Sequence, residues 1–390
     1  MEMTSMGRHE YLKAIHDRYR QGSPEQKGAI LDEFCRICGY HRKYAIRLLN
    51  RTKPGARPRK RLPRGPSYGL PVIQALAVVW EAAGYPWSVR LKAMLPLWIP
   101  WLRKRLDLTP ELERQMQAIS PRQIDRRLQP RRCDLSRRIY GRTKPGSLMK
   151  HQVPIKVDHW DVKTPGFTEI DLVSHSGDCA TGEFAYSFNL TDIQSTWTES
   201  RAVLGKAQER VVKALDDVRG VLPFRLRGID SDNGSEFLNR HLIAFCKKGR
   251  IQFTRGRPYK KNDNAHIEQK NWTHVRRLIG WGRLDSQIAV DMLNDLYTNE
   301  LRLMMNLFQP SVKLVSKKRV GSKLKRVYDA PQTPLDRLRA GKGYDQDIVN
   351  GLLRLRAATD PFKLAAAIEK KLNRISAHTK RSDRVTSQMA

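Results

Sequence analysis

The sequence has no long apolar run and few cysteines. No stretch approaches the roughly 18–20 consecutive apolar residues that a transmembrane helix needs, so we expect no membrane partner. The opening residues, MEMTSMGRHEYLK, lack the apolar segment of a secretory signal peptide. The 5 cysteines are an odd number without the spacing of a disulfide framework, which is typical of a reducing compartment. We therefore expect a cytoplasmic protein.

Negative charge is also scarce. Asp and Glu together number 39 against 73 Lys and Arg, which gives a formal net charge of +34. A soluble protein with this excess usually has a polyanionic partner, and nucleic acid is the first candidate. A ribosome-like or membrane-surface protein is the alternative. With 40% hydrophobic residues and 8 Trp, the chain can still bury the cores of about two to four domains.

The N-terminal region contains a candidate helix-turn-helix. Residues 24–50 predict two short helices around a turn at Gly39. Cys35 and Cys38 lie in this stretch near His41, but no clear fourth zinc ligand follows, so we favour packed cysteines over a zinc site. The residues expected on the apolar faces are Ile30, Leu31, Phe34, Ile37, Tyr44, Leu48 and Leu49.

Residues 69–128 predict a second helical region, in which we expect a second helix-turn-helix. One of its helices is expected to be broken by Pro96 and Pro100. Ser120 suits the N-cap of the last helix and Pro121 its first position. The alternative is an exposed basic helix of a structural bundle. The side chains expected to contact DNA from this helix are Arg122, Gln123, Arg126 and Arg127.

Two basic stretches with proline and glycine are expected to be linkers. Residues 51–65 contain seven basic residues and no acid, and residues 129–152 resemble them in composition. Such segments cannot form a core, and we expect the first to lie on DNA phosphates. A solvated spacer is the alternative. The expected contacts are Arg57, Arg59, Lys60 and Arg61.

The middle of the chain alternates strand-like and helix-like segments. Residues 183–190 show the clearest period of two. The order βββ-α-β-α-β-α predicts a mixed five-stranded sheet with helices on its faces. The predicted strands are 167–173, 183–190, 196–203, 224–230 and 251–254, and the predicted helices are 206–218 and 236–249, the latter with Gly249 just after its end.

The last third of the chain is expected to be mainly helical. Residues 287–308 predict one long helix, and residues 312–329 predict a basic hairpin that turns near Gly321. Residues 344–376 predict two helices. The last dozen residues are polar, and we expect them to be disordered.

Three acidic residues lie where a carboxylate is costly to bury. Asp171 lies inside a predicted strand, and Asp232 lies at the end of the fourth strand. Glu268 shares one helical face with Trp272, Val275 and Ile279. Each acid also has a structural explanation, which is an ion pair for Asp171, a helix cap for Asp232 and a favourable first-turn position for Glu268.

A cluster of three carboxylates repels itself and would take up protons unless cations compensate the charge. Mg²⁺ or Mn²⁺ accepts such hard oxygen ligands. Two ions ~3.5–4 Å apart can support phosphodiester cleavage, so we expect two ions per active site. A strongly basic protein with this site is most simply an enzyme that acts on nucleic acid.

Three segments carry a family resemblance: EIDLV with Asp171, DSDNGSEF with Asp232, and RPYKKNDNAHIEQKNW with Glu268. They resemble the DDE transposases and integrases of insertion sequences, which have a retroviral-integrase catalytic core of the RNase H-like fold. Thirty-five residues separate Asp232 from Glu268, which is the spacing of that family. The resemblance covers roughly residues 155–285. It implies that Asp171, Asp232 and Glu268 are the metal-binding catalytic triad.

The resemblance also has a departure. Many relatives in insertion sequences carry Lys or Arg seven residues after the Glu, whereas this position is Val275 here. We assign the expected contact with the element end to Arg276 or Lys270. Four nearby acids are not assigned to the triad: Asp158, Asp161, Glu169 and Asp230. The other expected DNA contacts in this region are Arg255, Arg257, Lys260, Lys261 and Asn264.

The resemblance implies a DNA transposase that binds terminal inverted repeats, cleaves 3′ ends and joins them to target DNA. Its expected partners are double-stranded DNA and further copies of itself, as a dimer or larger assembly, in the bacterial nucleoid. A nuclease without strand transfer and a transposase-derived DNA-binding regulator are the alternatives. The expected divisions are helix-turn-helix 1–66, a second helical DNA-binding domain 67–130, linker 131–152, RNase H-like core 153–308, basic β-hairpin or small barrel 309–342, and helical tail 343–390.

Overall fold

The computed structural model describes residues 3–51, 68–139, 162–231, 237, 240–255, 265–320 and 323–388. The chain divides into two compact units, Met1–Ser67 and Tyr68–Ala390. The predicted domain divisions stay predictions. Within the described residues, no helix combines the length and apolar character required to cross a bilayer.

The first unit is a three-helix arrangement. Helix α1 is Ser5–Gln21, α2 is Pro24–Cys38 and α3 is Arg42–Leu49. Helix α2 begins with reciprocal side-chain caps between Ser23 and Gln26, and it ends at Gly39, whose φ of 66° is left-handed. The predicted turn at Gly39 is therefore present, whereas α1 was not anticipated by the sequence pattern.

Two expected core positions of this unit are wrong. Ile37 and Tyr44 are 39% and 40% exposed, whereas Cys38 and Ala45 are buried. Because α3 starts only at Arg42, its short buried stripe consists of Ala45 and Leu49, which leaves Tyr44 on the outer face. Burial raises the pKa of the Cys38 thiol, which favours a packed thiol over a metal-binding thiolate.

The second unit begins with four helices: α4 (Leu70–Ala82), α5 (Ser88–Leu102), α6 (Pro110–Ala118) and α7 (Pro121–Ile139). Contrary to the prediction, α5 is continuous through Pro96 and Pro100. Each proline removes a backbone hydrogen bond, and the burial of Leu91 and Trp98 on the same helix offsets that loss. The Ser120 hydroxyl accepts a hydrogen bond from the Gln123 N–H at 3.3 Å, as expected of an N-cap.

A mixed five-stranded sheet follows, as predicted. Its strands are β1 (Phe167–Ser174), β2 (Ala185–Asp192), β3 (Thr198–Leu204), β4 (Gly228–Ser231) and β5 (Gln252–Arg255). The spatial order is β3-β2-β1-β4-β5. Strands β1, β2 and β3 pair antiparallel, whereas β4 runs parallel to both β1 and β5. Strand β1 is thus central.

Two helices join the strands of this sheet. Helix α8 (Gln208–Arg219) follows β3, and α9 (Arg240–Gly249) follows β4. Gly249 is the last residue of α9 and Arg250 takes the left-handed φ of 51°, so the expectation that Gly249 follows the helix is wrong. A Cβ at Gly249 would lie 2.8 Å from Cδ1 of Ile251, so the glycine allows the chain to turn closely into β5.

The helix after β5 has an irregular middle. Helix α10 (Ala265–Lys270) continues as a π-helical segment, Asn271–Arg276, and then as α11 (Arg277–Ile279). The long helix predicted at 287–308 is also present, as α12 (Gln287–Leu296) with later π-helical segments at Tyr297–Leu301 and Met304–Phe308.

The C-terminal third corrects two expectations. Strands β6 (Leu314–Val320) and β7 (Lys323–Tyr328) form the predicted hairpin, but their sheet has two strands in the described part of the chain, so the barrel is not observed. Helices α13 (Pro334–Ala340), α14 (Gln346–Ala358) and α15 (Pro361–Gln388) follow. The expected disorder of the last dozen residues is wrong, because α15 extends to Gln388.

Helix α15 is part of the second unit's core and is not a detached tail. The Phe362 ring lies 4.9 Å from the Trp98 ring of α5. The Lys371 ammonium pairs with Asp295 at 2.8 Å and with Glu300 at 2.5 Å. These contacts tie the end of the chain to α5 and to the helix that begins at Gln287.

Candidate active site

Two of the predicted acids lie in or directly after neighbouring strands of the sheet: Asp171 lies in β1, and Asp232 is the residue after β4 in sequence. Asp171 lies in the central strand β1 and is half-buried. In the parallel pairing, Ile170 of β1 lies opposite Ser231, the last residue of β4. Asp232 is next in sequence and lies outside the described residues. The register therefore brings Asp171 to the level at which β4 leads into the segment DNGSE.

Helix α10, which carries Glu268, is fastened to β1 on both sides of that residue. The Ile267 N–H donates to Glu169 Oε2 at 2.9 Å. Four residues later, Asn271 Nδ2 donates to Asp171 Oδ2 at 2.5 Å. The helix position of Glu268 is described, and its side chain is not. The two hydrogen bonds fix the backbone at Glu268 beside the strand of Asp171.

A row of polar side chains orients Asp171. Asn189 lies opposite Asp171 in β2, and Ser200 lies opposite Asn189 in β3. Ser200 Oγ donates to Asn189 Oδ1, and Asn189 Nδ2 donates to Asn271 Oδ1, each at 2.6 Å. The Leu172 N–H also donates to Asp171 Oδ1 at 2.8 Å. Amide donors therefore hold both oxygens of the Asp171 carboxylate in place.

The sequence analysis missed Asn189, Ser200 and Asn271. The signal that could have found Asn189 is the alternation in β2, where a polar residue stands between Phe188 and Leu190. Which residue of β2 lies opposite Asp171 depends, however, on the register of the two strands. The turn between β1 and β2 does not determine that register locally. Asn271 is polar and comes three residues after Glu268, so it is one helical turn away.

A second pair of acids lies in the same two strands, two residues before Asp171 and Asp232 in sequence. Glu169 and Asp230 are opposite each other in β1 and β4 and are 2% and 0% exposed. Asp230 Oδ1 accepts a hydrogen bond from Thr254 Oγ1 at 2.8 Å. Glu169 accepts from the first turn of α10, where a carboxylate is favoured. These contacts give both acids structural roles, while Asp158 and Asp161 lie outside the described residues.

The predicted apolar stripe below Glu268 is wrong at Trp272, which is 55% exposed. The buried residues are Ile267, Lys270, His274 and Val275, and Ile279 is half-buried. The segment Asn271–Arg276 is π-helical, with i→i+5 hydrogen bonds and more residues per turn than an α-helix. A stripe extrapolated at 3.6 residues per turn therefore loses its alignment in this segment.

The two basic residues that follow Glu268 differ in placement. Arg276 is half-buried, its guanidinium lies 4.1 Å from the Trp281 ring, and it donates to Ser174 Oγ at 3.4 Å. Burial lowers the pKa of Arg276. Lys270 is only 8% exposed, and its expected contact with the element end stays a prediction.

The remaining predicted DNA contacts are described only in part. On α7, Arg122 and Arg126 are exposed, whereas Gln123 and Arg127 are half-buried. Arg255 ends β5, and its side chain is not described. Those outside the described residues are Arg57, Arg59, Lys60, Arg61, Arg257, Lys260, Lys261 and Asn264.

The oxygen donors here match the chemistry of a hard divalent cation. The described residues contain no group of three or more His, Cys, Asp or Glu side chains that could hold a metal ion. Two of the predicted ligands, Asp232 and the side chain of Glu268, lie outside that part of the chain. Asp171 supplies an oriented carboxylate beside α10, and all three ligands are hard oxygen donors of the kind that Mg²⁺ and Mn²⁺ take.

Comparison with known proteins gives a relative of nearly full length. No known family model matches the chain. The uncharacterized protein y4rM of Sinorhizobium fredii (strain NBRC 101917 / NGR234) is 38% identical over 343 residues, which cover 86% of this chain and 97% of y4rM. The chain belongs to the y4rM family. This y4rM-family chain is therefore related to y4rM over most of its length.

Solved structures similar to the y4rM-family chain include two integrase catalytic core domains. The HTLV-2 integrase core in complex with magnesium is 15% identical, covers 38% of this chain and 91% of its own, and gives a TM-score of 0.29. The BIV integrase core is 16% identical, covers 45% and 94%, and gives 0.31. Identities and TM-scores this low leave the activity to be inferred from the chain's own residues.

The simian T-cell lymphotropic virus intasome in complex with PP2A regulatory subunit B56 gamma is a further similar structure. It is 15% identical, covers 47% of the y4rM-family chain and 73% of its own, and gives a TM-score of 0.32.

The hydrogen bonds of Asn271 lead to a testable prediction for the site. Asn271→Ala removes the donor to Asp171 and the acceptor for Asn189. We expect metal-dependent DNA cleavage to fall by about 10–100-fold, the usual effect of losing a residue that orients a metal ligand. The measurement is the cleavage rate as a function of Mg²⁺ concentration, because a positioning role raises the concentration needed for half-maximal rate.

The matched control is Asn299→Ala, at an exposed helical position whose side chain, in the described part of the chain, donates to Asp295 four residues earlier. We expect this variant to cleave like the wild type. Equal Mg²⁺ dependence in Asn271→Ala and wild type would remove Asn271 from the site.

Proposed function

We propose that this protein is a DNA transposase that cleaves the 3′ ends of a mobile element and joins them to target DNA. The observation that carries the proposal is the fastening of α10 to β1 on both sides of Glu268, with one hydrogen bond made directly to Asp171. The net charge of +34 supports a nucleic acid as the substrate.

Asp171, Asp232 and Glu268 would hold Mg²⁺ or Mn²⁺, with two ions per site. When bound, such ions activate an attacking oxygen and stabilise the leaving oxygen of a phosphodiester. Asn271 and the Leu172 N–H keep the Asp171 carboxylate in one orientation. Glu169 holds the first turn of α10 against β1. In this mechanism no protein side chain becomes covalently attached to DNA.

Binding of the element ends is assigned to the N-terminal helices and to α7. Arg122 and Arg126 are exposed on α7, where guanidinium groups suit phosphate and guanine recognition. In α3, Arg42, Lys43 and Arg47 are exposed, as suits a helix that meets DNA. Two ends must react in one event, so the active species is a dimer or larger assembly on DNA.

The test uses DNA that carries the flanks of the element encoding this protein. The protein is incubated with this DNA in Mg²⁺, in Mn²⁺ and in chelator, and 3′ nicks and joined products are mapped. We expect nicks at the element ends and joined products only when a divalent ion is present. Nicks without joining would instead indicate a nuclease, and binding without nicks in either ion would indicate a regulator.

A further inference from the structure

A cavity of about 730 Å³ borders the helix that carries Glu268. Its wall combines the loop after α4, Arg90 of α5, the inner face of α10 and the following π-helical segment, and Tyr328 at the end of β7. Cavities of this size hold small ligands in many proteins. Lys270 lines it, and the next residue, Asn271, contacts Asp171. The cavity therefore adjoins the candidate active site through one helix.

The cavity wall carries positive charge without negative charge. Arg90, Lys270, His274 and Arg277 line it, and none of its described lining residues is Asp or Glu. Burial and the nearby Arg277 lower the pKa of Arg90 to about 10. These cations therefore repel one another.

Two of these groups lack partners within the described structure. Lys270 has no hydrogen-bond or ion-pair partner there, although it is only 8% exposed to solvent. His274 is 6% exposed, and its Nε2 is buried without a hydrogen-bond partner. Its other ring nitrogen contacts Thr273 Oγ1 at 2.8 Å. A buried cation and an unpaired ring nitrogen are costly in the free protein.

The arginines near Lys270 add positive charge, and their own hydrogen bonds go to other residues. Arg90 donates to two neutral oxygens, the Pro310 carbonyl at 2.6 Å and Gln309 Oε1 at 3.1 Å. Arg337 is already paired with Asp329 at 2.5 Å. An anion that enters the cavity would supply the missing negative charge and accept hydrogen bonds from Lys270.

Aromatic side chains in the cavity wall indicate what kind of anion binds there. Trp87 and Tyr328 line it and are 48% and 47% exposed. Exposed aromatic rings beside cations are the combination that binds unpaired bases through stacking and phosphates through charge. The volume of about 730 Å³ accommodates one nucleotide and not a base-paired duplex.

We propose that this cavity binds a single unpaired nucleotide, with its 5′-phosphate on Lys270 and Arg90 and its base against Trp87 or Tyr328. The proposal rests on the proposed function, because it takes the nucleotide to be a unit of the DNA strand being processed. A nucleotide held there would anchor the strand beside the helix that carries Glu268. On this proposal, the buried cations Lys270 and Arg90 serve to bind the nucleotide and do not serve to stabilise the fold.

The first experiment measures binding without any divalent ion. Full-length protein is titrated calorimetrically with dAMP, with inorganic phosphate and with deoxyadenosine. We expect dAMP to bind most tightly and to raise the unfolding temperature. In Lys270→Met we expect binding of dAMP to weaken by at least about tenfold, since a charged hydrogen bond is lost. The control is Lys363→Met, which removes an exposed lysine of α15 and is expected to bind like the wild type.

The unfolding temperature without ligand keeps the test decisive. We expect Lys270→Met to unfold at or above the wild-type temperature, because an apolar side chain replaces an unpaired buried cation. A lower unfolding temperature would assign Lys270 a structural role and overturn the proposal. Equal binding of dAMP by wild type and Lys270→Met would also overturn it.

The second experiment identifies the source of the nucleotide. Two element-end duplexes are compared, one fully paired and one with an unpaired 5′-phosphorylated terminal nucleotide. We expect tighter binding of the second duplex by wild type, and no such preference in Lys270→Met. Binding of dAMP without a preference between duplexes would overturn the DNA assignment in favour of a free nucleotide. Because no divalent ion is present, these outcomes are independent of whether the protein cleaves or joins DNA.

Discussion

Glu268→Gln is expected to abolish DNA cleavage and joining while leaving the fold intact. The substitution keeps the size of the side chain and removes its charge, so the proposed metal ligand is lost. Stabilisation of transition-state charge by a bound ion amounts to several kcal/mol. A loss of at least about a hundredfold in rate follows, since each 1.4 kcal/mol or so is tenfold. The measurement is the single-turnover rate of 3′ nicking in saturating Mg²⁺.

The control for this result is Glu209→Gln, which removes an exposed acid from the first turn of α8. We expect its nicking rate to match that of the wild type. The fold is checked by comparing unfolding temperatures, and the hydrogen bonds of α10 to β1 do not involve the Glu268 side chain in the described contacts. An unchanged nicking rate in Glu268→Gln would remove Glu268 from the catalytic triad.

Gly166→Ala is expected to cause a large loss of stability at the junction of β1 and β4. Gly166 has a φ of +110°, and an added Cβ would overlap the Arg225 carbonyl oxygen. Its own carbonyl accepts from the N–H groups of Arg227 at 2.7 Å and Gly228 at 3.0 Å. These contacts join the start of β1 to the start of β4. We expect unfolding to become easier by on the order of 3 kcal/mol, through backbone strain and lost hydrogen bonds.

The matched control is Gly351→Ala, in the same compact unit. Gly351 lies inside α14, and no atom lies within 4 Å of the position of an added Cβ. Alanine is a better helix former than glycine, so we expect a gain of about 0.5–1 kcal/mol. Urea denaturation followed by circular dichroism measures both variants. Wild-type stability in Gly166→Ala would show that the β1–β4 junction tolerates a side chain.

Much of the sheet was open to prediction because its signals are local. Alternation in the segment EFAYSFNL and the polar turns on either side predict a strand without knowledge of its neighbours. The strand containing Asp171 was placed correctly at its first residue, Phe167. Strand β4 is shorter than predicted, since pairing with β1 begins only at Gly228.

Other features depend on contacts that the local sequence does not encode. The π-helical segment after Lys270 changes which side chains face inward, and nothing in its composition distinguishes it from an α-helix. Helix α5 stays continuous because tertiary burial outweighs the effect of its prolines. The cavity joins residues far apart in sequence, such as Arg90 and Gln309, which are 219 positions apart.

The acids of the candidate site could be proposed from the sequence alone, whereas the side chains that support Asp171 and the helix of Glu268 could not. The spacing of Asp232 and Glu268 and the strand around Asp171 were visible in the sequence. Asn271, Asn189 and Glu169 orient these elements through hydrogen bonds that require the register of β1 with β2 and the docking of α10. Such side chains become visible only when the strands and the helix are brought together.

The central claim is that Asp171, Asp232 and Glu268 together bind metal. Iron-mediated cleavage of the polypeptide tests it most directly. Fe²⁺ replaces Mg²⁺ in oxygen-ligand sites, and with ascorbate and peroxide it generates radicals that cut the backbone nearby. We expect cuts near Asp171, Asp232 and Glu268, suppressed by excess Mg²⁺ and absent in Glu268→Gln. Cuts confined to other parts of the chain, or the same cuts in Glu268→Gln, would contradict a metal site built from these three residues.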